Sequence, residues 1–166
     1  MKRAQPKLSR KPATKKRRAT SPATPPPSPA LTSSALAAAV SAARAARDKA
    51  HAPYSNFHVG AAVIDDRGQL HVGCNVENAS YGLTTCAERN AIAAAVVAGA
   101  RRISAVAVVT DADPLASPCG ACRQVLAEFA DPDAVVILAG ARDPRIIAHT
   151  VGGLLPEGFA LLPPHK

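Results

Sequence analysis

The order of apolar and polar residues predicts alternating helices and strands from residue 31 onward. Alanine-rich runs broken by charged residues are typical of helices, whereas short runs of valine and isoleucine are typical of buried strands. Helices are predicted at 31–51, 86–99 and 119–129, and strands at 57–64, 69–76, 103–109, 134–138 and 146–150. Because strand and helix alternate after the first hairpin, we expect a three-layer α/β/α sandwich around a partly parallel sheet.

Polar residues, prolines and glycines mark the ends of these elements. Thr32 or Ser33 can cap the first helix, and the helix is expected to end before Pro53, because the residue preceding a proline disfavours helical backbone. Residues 66–68 predict the hairpin turn between the first two strands. Gly99 is well suited to close the second helix.

The first 30 residues differ from the rest in composition. They hold nine of the 20 basic residues and no acid, so the remainder carries 11 basic against 12 acidic groups and is nearly neutral. Their prolines and missing apolar periodicity predict a disordered basic tail, 1–30, followed by one folded domain, 31–166. The basic run at 15–18 leaves several interpretations open: a nuclear signal, a nucleic-acid patch, an organelle transit peptide or a solvated tail without a partner. We assign it no function.

Composition also limits the environment of the protein. With 48% hydrophobic residues, a chain of 166 residues can bury one core. No apolar run reaches the roughly 18 residues that a membrane span requires, so we expect no membrane partner. Three of the four cysteines fall in one metal motif, which indicates a reducing compartment, and we expect the cytoplasm.

Three cysteines and a glutamate form the most specific motif of the chain. Cys86 and Glu88 stand in a Cys-x-Glu sequence, and Pro118 precedes Cys119 and Cys122 in Pro-Cys-x-x-Cys. Three thiolates leave one position of a tetrahedral zinc open, which marks a catalytic rather than a structural site. Zinc deaminases combine this pattern with a glutamate that moves protons without binding the metal. The motif therefore predicts one Zn²⁺ per subunit, held by the three cysteines, with Glu88 as the catalytic acid and base.

The placement of these residues suits thiolate chemistry. Each cysteine stands at the predicted first turn of a helix, where the partial positive charge favours an ionised thiol. Three thiolates around a dication leave a net charge near −1, and our hypothesis is that Arg89 and Arg123 offset it near the metal. The alternatives for these cysteines are buried hydrophobes, a redox pair or half of a structural zinc site. Cys74 stands alone and is predicted to be a core residue.

Several further segments carry a resemblance to one enzyme family. They are Ala52-Pro53-Tyr54-Ser55, Val59-Gly60-Ala61-Ala62, the stretches 73–79, 85–89 and 117–124, Leu154-Leu155-Pro156, and Phe159. With these segments the chain resembles the small, homotetrameric cytidine deaminases with a Cys₃ zinc site, over roughly residues 35–162. The resemblance implies a mixed sheet of about five strands and zinc-dependent hydrolytic deamination of cytidine and deoxycytidine in pyrimidine salvage.

The resemblance also implies substrate-binding residues. Asn75 and Glu77 would hold the ribose hydroxyls, and Phe57 would line the pyrimidine pocket. The backbone carbonyl of Ala87 or of Ser117 would hold the leaving amine. An amide and a carboxylate suit this role, because together they offer hydrogen-bond donors and acceptors to a diol. A free base without the ribose would leave both side chains unpaired and would be rejected.

Two aromatic residues would act between subunits. Tyr81 and Phe159 resemble residues that reach a neighbouring subunit's site, although each can also serve its own subunit's site or have a core or surface role.

Three other functions share parts of these features. An aminonucleoside antibiotic deaminase has the same metal motif, but Asn75 and Glu77 favour a nucleoside substrate. A polynucleotide cytosine deaminase would suit the basic tail, yet the domain is near neutral and has no aromatic residues interleaved with basic ones, so we do not expect a nucleic-acid partner. A zinc-stapled scaffold would have no use for Glu88.

Overall fold

The computed structural model describes residues 31–161. The predicted tail, residues 1–30, lies outside the described residues. The elements in chain order are α1 Ser33–Arg47, β1 Gly60–Asp65, β2 Leu70–Cys74, a 3₁₀ turn Tyr81–Leu83, α2 Ala87–Val97, β3 Ile103–Thr110, α3 Gly120–Phe129, β4 Ala130–Gly140, β5 Ile146–Thr150 and α4 Val151–Leu154.

The strands form one mixed sheet in the order β2-β1-β3-β4-β5. Among the strands of residues 31–161, β3 and β4 run parallel and the other neighbouring pairs are antiparallel. The parallel pair needs a crossover, which α3 supplies. The predicted mixed five-stranded sheet is therefore confirmed.

Helices cover both faces of this sheet. Buried residues of α1 pack against one face of β1, β3 and β4. Buried residues of α2, α3 and α4 pack against the opposite face of the same strands. The three predicted layers are present, and no helix within residues 31–161 is long and apolar enough to cross a membrane.

Two glycines allow close helix-to-sheet contact. A Cβ atom at Gly60 would collide with the backbone of α1, and one at Gly73 would collide with the backbone of α2. Because α2 begins directly after Cys86, the contact at Gly73 fixes the helix that carries this cysteine and Glu88.

Three predicted elements are shorter than expected, for tertiary reasons. Strand β2 ends at Cys74 rather than at Val76, because Val76 forms bridges with His51 and Thr85 instead of pairing with β1. The first helix ends at Arg47, because His51 is drawn into a bridge with Val76 on the strand-end segment that follows β2. The first strand begins at Gly60 rather than at Phe57, because the side chain of Asn75 bonds the backbone before Gly60.

Other differences lengthen or add elements. Strand β4 starts at Ala130, which pairs with Ile103, although the prediction began at 134. The 3₁₀ turn and the four-residue α4 were not predicted, because both are too short to show a period. Thr32 caps α1 through the N–H of Ala35, and Gly99 follows α2 at φ 91°, as expected of a left-handed closing residue.

Candidate zinc and active site

Three cysteine sulfurs meet where α2 and α3 begin. Cys86 is the N-cap of α2, Cys119 is the N-cap of α3, and Cys122 lies in the first turn of α3. Their Sγ atoms all lie within 4.8 Å of one another. The Sγ atoms of Cys86 and Cys119 are 3.9 Å apart.

This spacing fits zinc. A tetrahedral ion with Zn–S bonds of about 2.3 Å holds its sulfurs about 3.8 Å apart. Three sulfurs leave the fourth position for water or substrate. The donor set therefore fits one catalytic Zn²⁺ held by Cys86, Cys119 and Cys122.

The thiols compete for protons when they stand this close together. Hydrogen bonding from Cys122, with help from Arg89 and Cys119, lowers the pKa of Cys86 to about 5. The same sharing with Cys86, together with burial, raises the pKa of Cys122. A divalent cation resolves this competition, because it replaces the shared protons and lets all three sulfurs bind as thiolates.

Arg89 lies next to the sulfur cluster. Its Nη2 donates to the carbonyl of Thr84 at 3.0 Å and lies 3.9 Å from the Sγ of Cys86. The interaction with Cys86 raises the pKa of the guanidinium. This geometry supports charge compensation by Arg89.

Arg123 has different partners. Its three guanidinium nitrogens donate to the carbonyl of Pro118, the carbonyl of Leu154 and the hydroxyl of Ser117, at 2.7, 2.8 and 3.0 Å. None of its hydrogen bonds within residues 31–161 goes to a cysteine. The hypothesis of charge compensation therefore fits Arg89 and not Arg123.

Glu88 is a buried carboxyl beside the cluster. It is only 4% exposed, and it stands in the first turn of α2, two positions after Cys86. Burial, followed by the charge of Cys86, raises the pKa of its carboxyl above the usual value. A carboxyl whose pKa is raised in this way holds a proton more readily than an exposed one, which suits a group that must accept a proton and then pass it on.

Asn75 and Glu77 lie at the end of β2 and bind the loop that contains Phe57. The amide of Asn75 accepts from the N–H of Val59 and donates to the carbonyl of Phe57, each at 2.8 Å. One amide hydrogen and one oxygen lone pair of Asn75 remain beyond these bonds. Asn75 thus sets the path of the chain around Phe57.

The carboxylate of Glu77 holds the preceding part of the same loop. It accepts from the backbone N–H of Tyr54 at 2.9 Å and from the N–H and hydroxyl of Ser55. The bond from the hydroxyl of Ser55 is the main reason why the pKa of Glu77 lies below its usual value. Glu77 is therefore an ionised acceptor at neutral pH.

The aromatic residues of the predicted site are exposed in the single chain. Phe57 is 41% exposed, Tyr81 75% and Phe159 69%. The rings of Tyr54 and Tyr81 meet edge to face, with centroids 6.0 Å apart. The backbone carbonyl of Phe159 accepts from the side chain of Gln124 on α3.

Ala87 is the first residue of α2, so its amide N–H has no partner within the helix. Its carbonyl oxygen packs against β2, where a Cβ atom at Gly73 would come within 2.5 Å of it. Of the two carbonyls suggested for the leaving amine, that of Ser117 is the one outside a helix.

Cys74 lies outside the metal cluster, but it is not a core residue as predicted. It is half-buried at the end of β2, and its thiol donates to the carbonyl of Lys49 at 3.5 Å. The strand end lies near the surface because β2 is the outer strand of the sheet.

The structure also identifies supporting residues that the sequence did not suggest. Thr84 orients Arg89, and Ser55 bonds Glu77. Asn90 donates to the carbonyl of Cys74 at 2.8 Å and thereby ties α2 to the end of β2. Ser55 lies inside a segment of the family resemblance, but nothing in the local sequence singles out Asn90.

The fold and the Cys₃ cluster with its buried glutamate define a zinc-dependent deaminase, and comparison with known proteins agrees. The family model for the cytidine and deoxycytidylate deaminase zinc-binding region matches residues 33–139. The chain belongs to this family.

Individual relatives carry the same name. A cytidine deaminase of Sporosarcina psychrophila is 45% identical over 121 residues, which cover 73% of this chain and 88% of the relative. A cytidine deaminase structure from Burkholderia pseudomallei has 46% identity and a TM-score of 0.72, covering 78% of this chain and 100% of that one. The cytidine deaminase structure from Mycobacterium tuberculosis has 39% identity and a TM-score of 0.66, covering 76% and 98%.

Proposed function

We propose that this protein deaminates cytidine and deoxycytidine to uridine and deoxyuridine by zinc-dependent hydrolysis, in cytoplasmic pyrimidine salvage. The observation that carries the proposal is the buried carboxyl of Glu88 beside a three-sulfur cluster with one position left for a reactant. A structural zinc site would have no need for such a carboxyl.

Cys86, Cys119 and Cys122 are the residues that would hold the metal. When bound, zinc lowers the pKa of water toward neutrality and so makes a hydroxide nucleophile available. Arg89 offsets the excess negative charge of the three thiolates. The metal would then still attract electrons from its bound water.

Glu88 moves the protons of the reaction. It accepts one proton from the attacking water and delivers it to N3 of the pyrimidine as the new C4–O bond forms. It then takes the second proton from the new C4 hydroxyl and passes it to the amino group, so that the C4–N bond breaks, the C4 carbonyl forms and ammonia leaves. Cytidine and water are thereby converted to uridine and ammonia, and the raised pKa of Glu88 suits both directions of transfer.

The substrate is held at two ends. Asn75 and Glu77 bind the ribose hydroxyls with the donor and acceptor capacity that their loop contacts leave, and Phe57 lies against the pyrimidine. The N–H of Ala87, which has no partner within α2, is available to the base, and the carbonyl of Ser117 accepts from the departing amine. Asn75 and Glu77 also hold the loop of Phe57 through hydrogen bonds. The same two residues therefore bind the ribose and fix the position of the ring that stacks on the base.

The protein assembles as a homotetramer that completes these sites. Large apolar side chains remain exposed in the single chain, among them Tyr81, Leu83, Ile146 and Phe159. All residues of the edge strand β5 are exposed as well. Tyr81 and Phe159 would close a neighbouring subunit's site, and the exclusion of water strengthens the electrostatics of the reaction.

The direct test is the conversion of cytidine by the purified full-length chain, followed by ultraviolet absorbance and by detection of uridine, with the zinc content measured alongside. We expect turnover with about one zinc per subunit. Single-stranded DNA and an aminonucleoside antibiotic serve as competing substrates. Conversion of either in preference to cytidine, or zinc binding without turnover, would contradict the proposal.

A further inference from the structure

Arg123 connects three segments around the active site. We propose that Arg123 is a positioning residue that holds the carbonyl of Ser117 in place to receive the leaving amine, and that it links this carbonyl to the C-terminal segment. The inference rests on the proposed deamination, and it concerns how the protein distinguishes the amino substrate from the carbonyl product.

The guanidinium uses each of its nitrogens for a different acceptor. Nε donates to the carbonyl of Pro118 at 2.7 Å, and Nη2 donates to the hydroxyl of Ser117 at 3.0 Å. Nη1 donates to the carbonyl of Leu154 at 2.8 Å. Only arginine offers donors in this planar, divergent arrangement, because lysine has a single nitrogen.

Two of these bonds enclose the peptide unit that carries the proposed amine acceptor. The Ser117 carbonyl belongs to the peptide plane between the Ser117 side chain and Pro118, and Arg123 holds a group at either end of it. The ring of Pro118 locks its φ angle, and the residue is fully buried. With both ends held and the proline fixed, this plane has little freedom to rotate.

The same turn leads directly into the metal ligand Cys119. This residue is the N-cap of α3 but makes no side-chain capping bond. A thiolate bound to metal cannot cap the helix as serine or aspartate would. Arg123, one turn further along α3, supplies the missing connection from the helix back to the preceding chain.

The third bond extends the connection to the C-terminal segment. Leu154 is the last residue of α4, and its carbonyl has no partner within that helix. Gln124, the neighbour of Arg123, donates to the carbonyl of Phe159 at 2.8 Å. Helix α3 therefore holds both the turn at Ser117 and the segment that presents Phe159.

If Arg123 positions the Ser117 carbonyl, its replacement should affect only the interaction with the group at C4 of the pyrimidine. Cytidine carries an amino group at C4 and needs the acceptor at Ser117, whereas uridine carries an oxygen there and does not. Displacing this carbonyl should slow cytidine turnover and leave the affinity for uridine nearly unchanged. A general loss of pocket structure would weaken both.

The experiment compares Arg123→Lys and Arg123→Gln with the wild type and with Arg101→Gln. Arg101 is a matched control, because it donates to the carbonyls of Val96 and Ala100 at the far end of α2, away from the cysteines. For each protein we would measure zinc content, kcat and KM for cytidine, and the inhibition constant of uridine. Rates are expressed per zinc-loaded subunit.

We expect both Arg123 variants to retain zinc and to lose about tenfold or more in kcat for cytidine, since small displacements near the reacting atoms have large effects on rate. The inhibition constant of uridine should change less than about twofold, and Arg101→Gln should match the wild type. Ser117→Ala, which removes one of the three acceptors, should lower kcat by a smaller factor, and its effect should not add to that of Arg123→Lys.

Unchanged kcat in the Arg123 variants would overturn the inference, as would an activity loss that only follows lost zinc. Equal losses in cytidine turnover and uridine binding would overturn it as well. If Arg123→Gln does not fold, the same measurements on Arg123→Lys and Ser117→Ala decide the inference. A wild type that does not convert cytidine would instead disprove the proposed function, so the two failures are distinguishable.

Discussion

The sulfur atoms of Cys86 and Cys119 lie 3.9 Å apart, although 33 positions separate them in the chain. Each is the N-cap of a helix, and neither uses its side chain to cap that helix. Both thiols are therefore available to a metal, and the positive ends of two helices meet at the same point. This relationship makes the zinc ion a connection between α2 and α3 as well as a catalytic group.

The first prediction concerns this connection. Cys119→Ser should lose most of the bound zinc and all measurable turnover, because two thiolates remain where three are needed. Its thermal midpoint should fall to that of wild-type protein stripped with a chelator, since bound metal stabilises only the folded state. Zinc content, activity and thermal unfolding measure these effects.

Cys74→Ser is the matched control for that experiment. Its sulfur bonds the carbonyl of Lys49 and lies outside the metal cluster. The variant should keep zinc and turnover close to wild type. Loss of zinc from it, or full zinc content in Cys119→Ser, would contradict the assigned ligand set.

Glu88→Gln tests the proton shuttle. The amide has nearly the same shape but cannot transfer a proton, so turnover should fall by about 100-fold or more while zinc and fold are retained. Steady-state kinetics with cytidine measure the rate, and metal analysis with circular dichroism checks the protein. Glu128→Gln, an exposed change on α3, should have wild-type kinetics. Near-normal turnover by Glu88→Gln would show that another group carries the proton.

Asp65 links stability to pH. It is completely buried at the end of β1 and accepts hydrogen bonds from Arg67, His71 and the N–H of Gln69. Burial alone would raise the pKa of this carboxyl, but these bonds outweigh burial and hold it at about 2 instead of 3.8. A depressed folded-state pKa stabilises the fold above the unfolded value, and this stabilisation is lost as the pH falls toward 2.

Asp65→Asn should therefore reduce the free energy of unfolding at neutral pH by about 2 kcal/mol. The difference between variant and wild type should shrink as the pH falls below about 4. Chemical denaturation over this pH range measures it. Asp66→Asn, on the neighbouring residue, is the control and should change stability little at any pH. An equal effect of both variants would argue against the role of the buried carboxylate.

Assembly gives the last prediction. Light scattering should give about four times the chain mass of 17.0 kDa. Phe159→Ala should raise KM for cytidine, because in the proposed tetramer the ring closes the pocket of a neighbour, whereas Val97→Ala should not. Val97 is similarly exposed but lies at the far end of α2.

Mixed tetramers distinguish a site that a neighbouring subunit completes from a site formed within one subunit. Glu88→Gln subunits retain Phe159, and Phe159→Ala subunits retain Glu88. If Phe159 serves the neighbouring site, mixing the two should restore low-KM turnover in some sites. A mixture no better than its components, or a fully active monomer, would contradict the shared site.

Local chemistry was readable from the sequence. The spacing of Cys119 and Cys122 places two sulfurs on one helical turn, and it needs no knowledge of the rest of the chain. The β-branched run at 103–109 and the cap at Thr32 depend on neighbouring residues alone, and both agree with the structure. The family resemblance then supplied the sheet, which the strand pairing confirms.

Contacts between distant residues were decided only by the tertiary structure. The sequence treated Arg89 and Arg123 alike, because each follows a ligand motif, but packing directs one to a thiolate and the other to the Ser117 turn. Likewise, His51 leaves the helical path because it pairs with Val76. A local pattern determines which backbone and which chemistry are available, whereas the partner of a long, charged side chain depends on which segments the folded sheet brings within its reach.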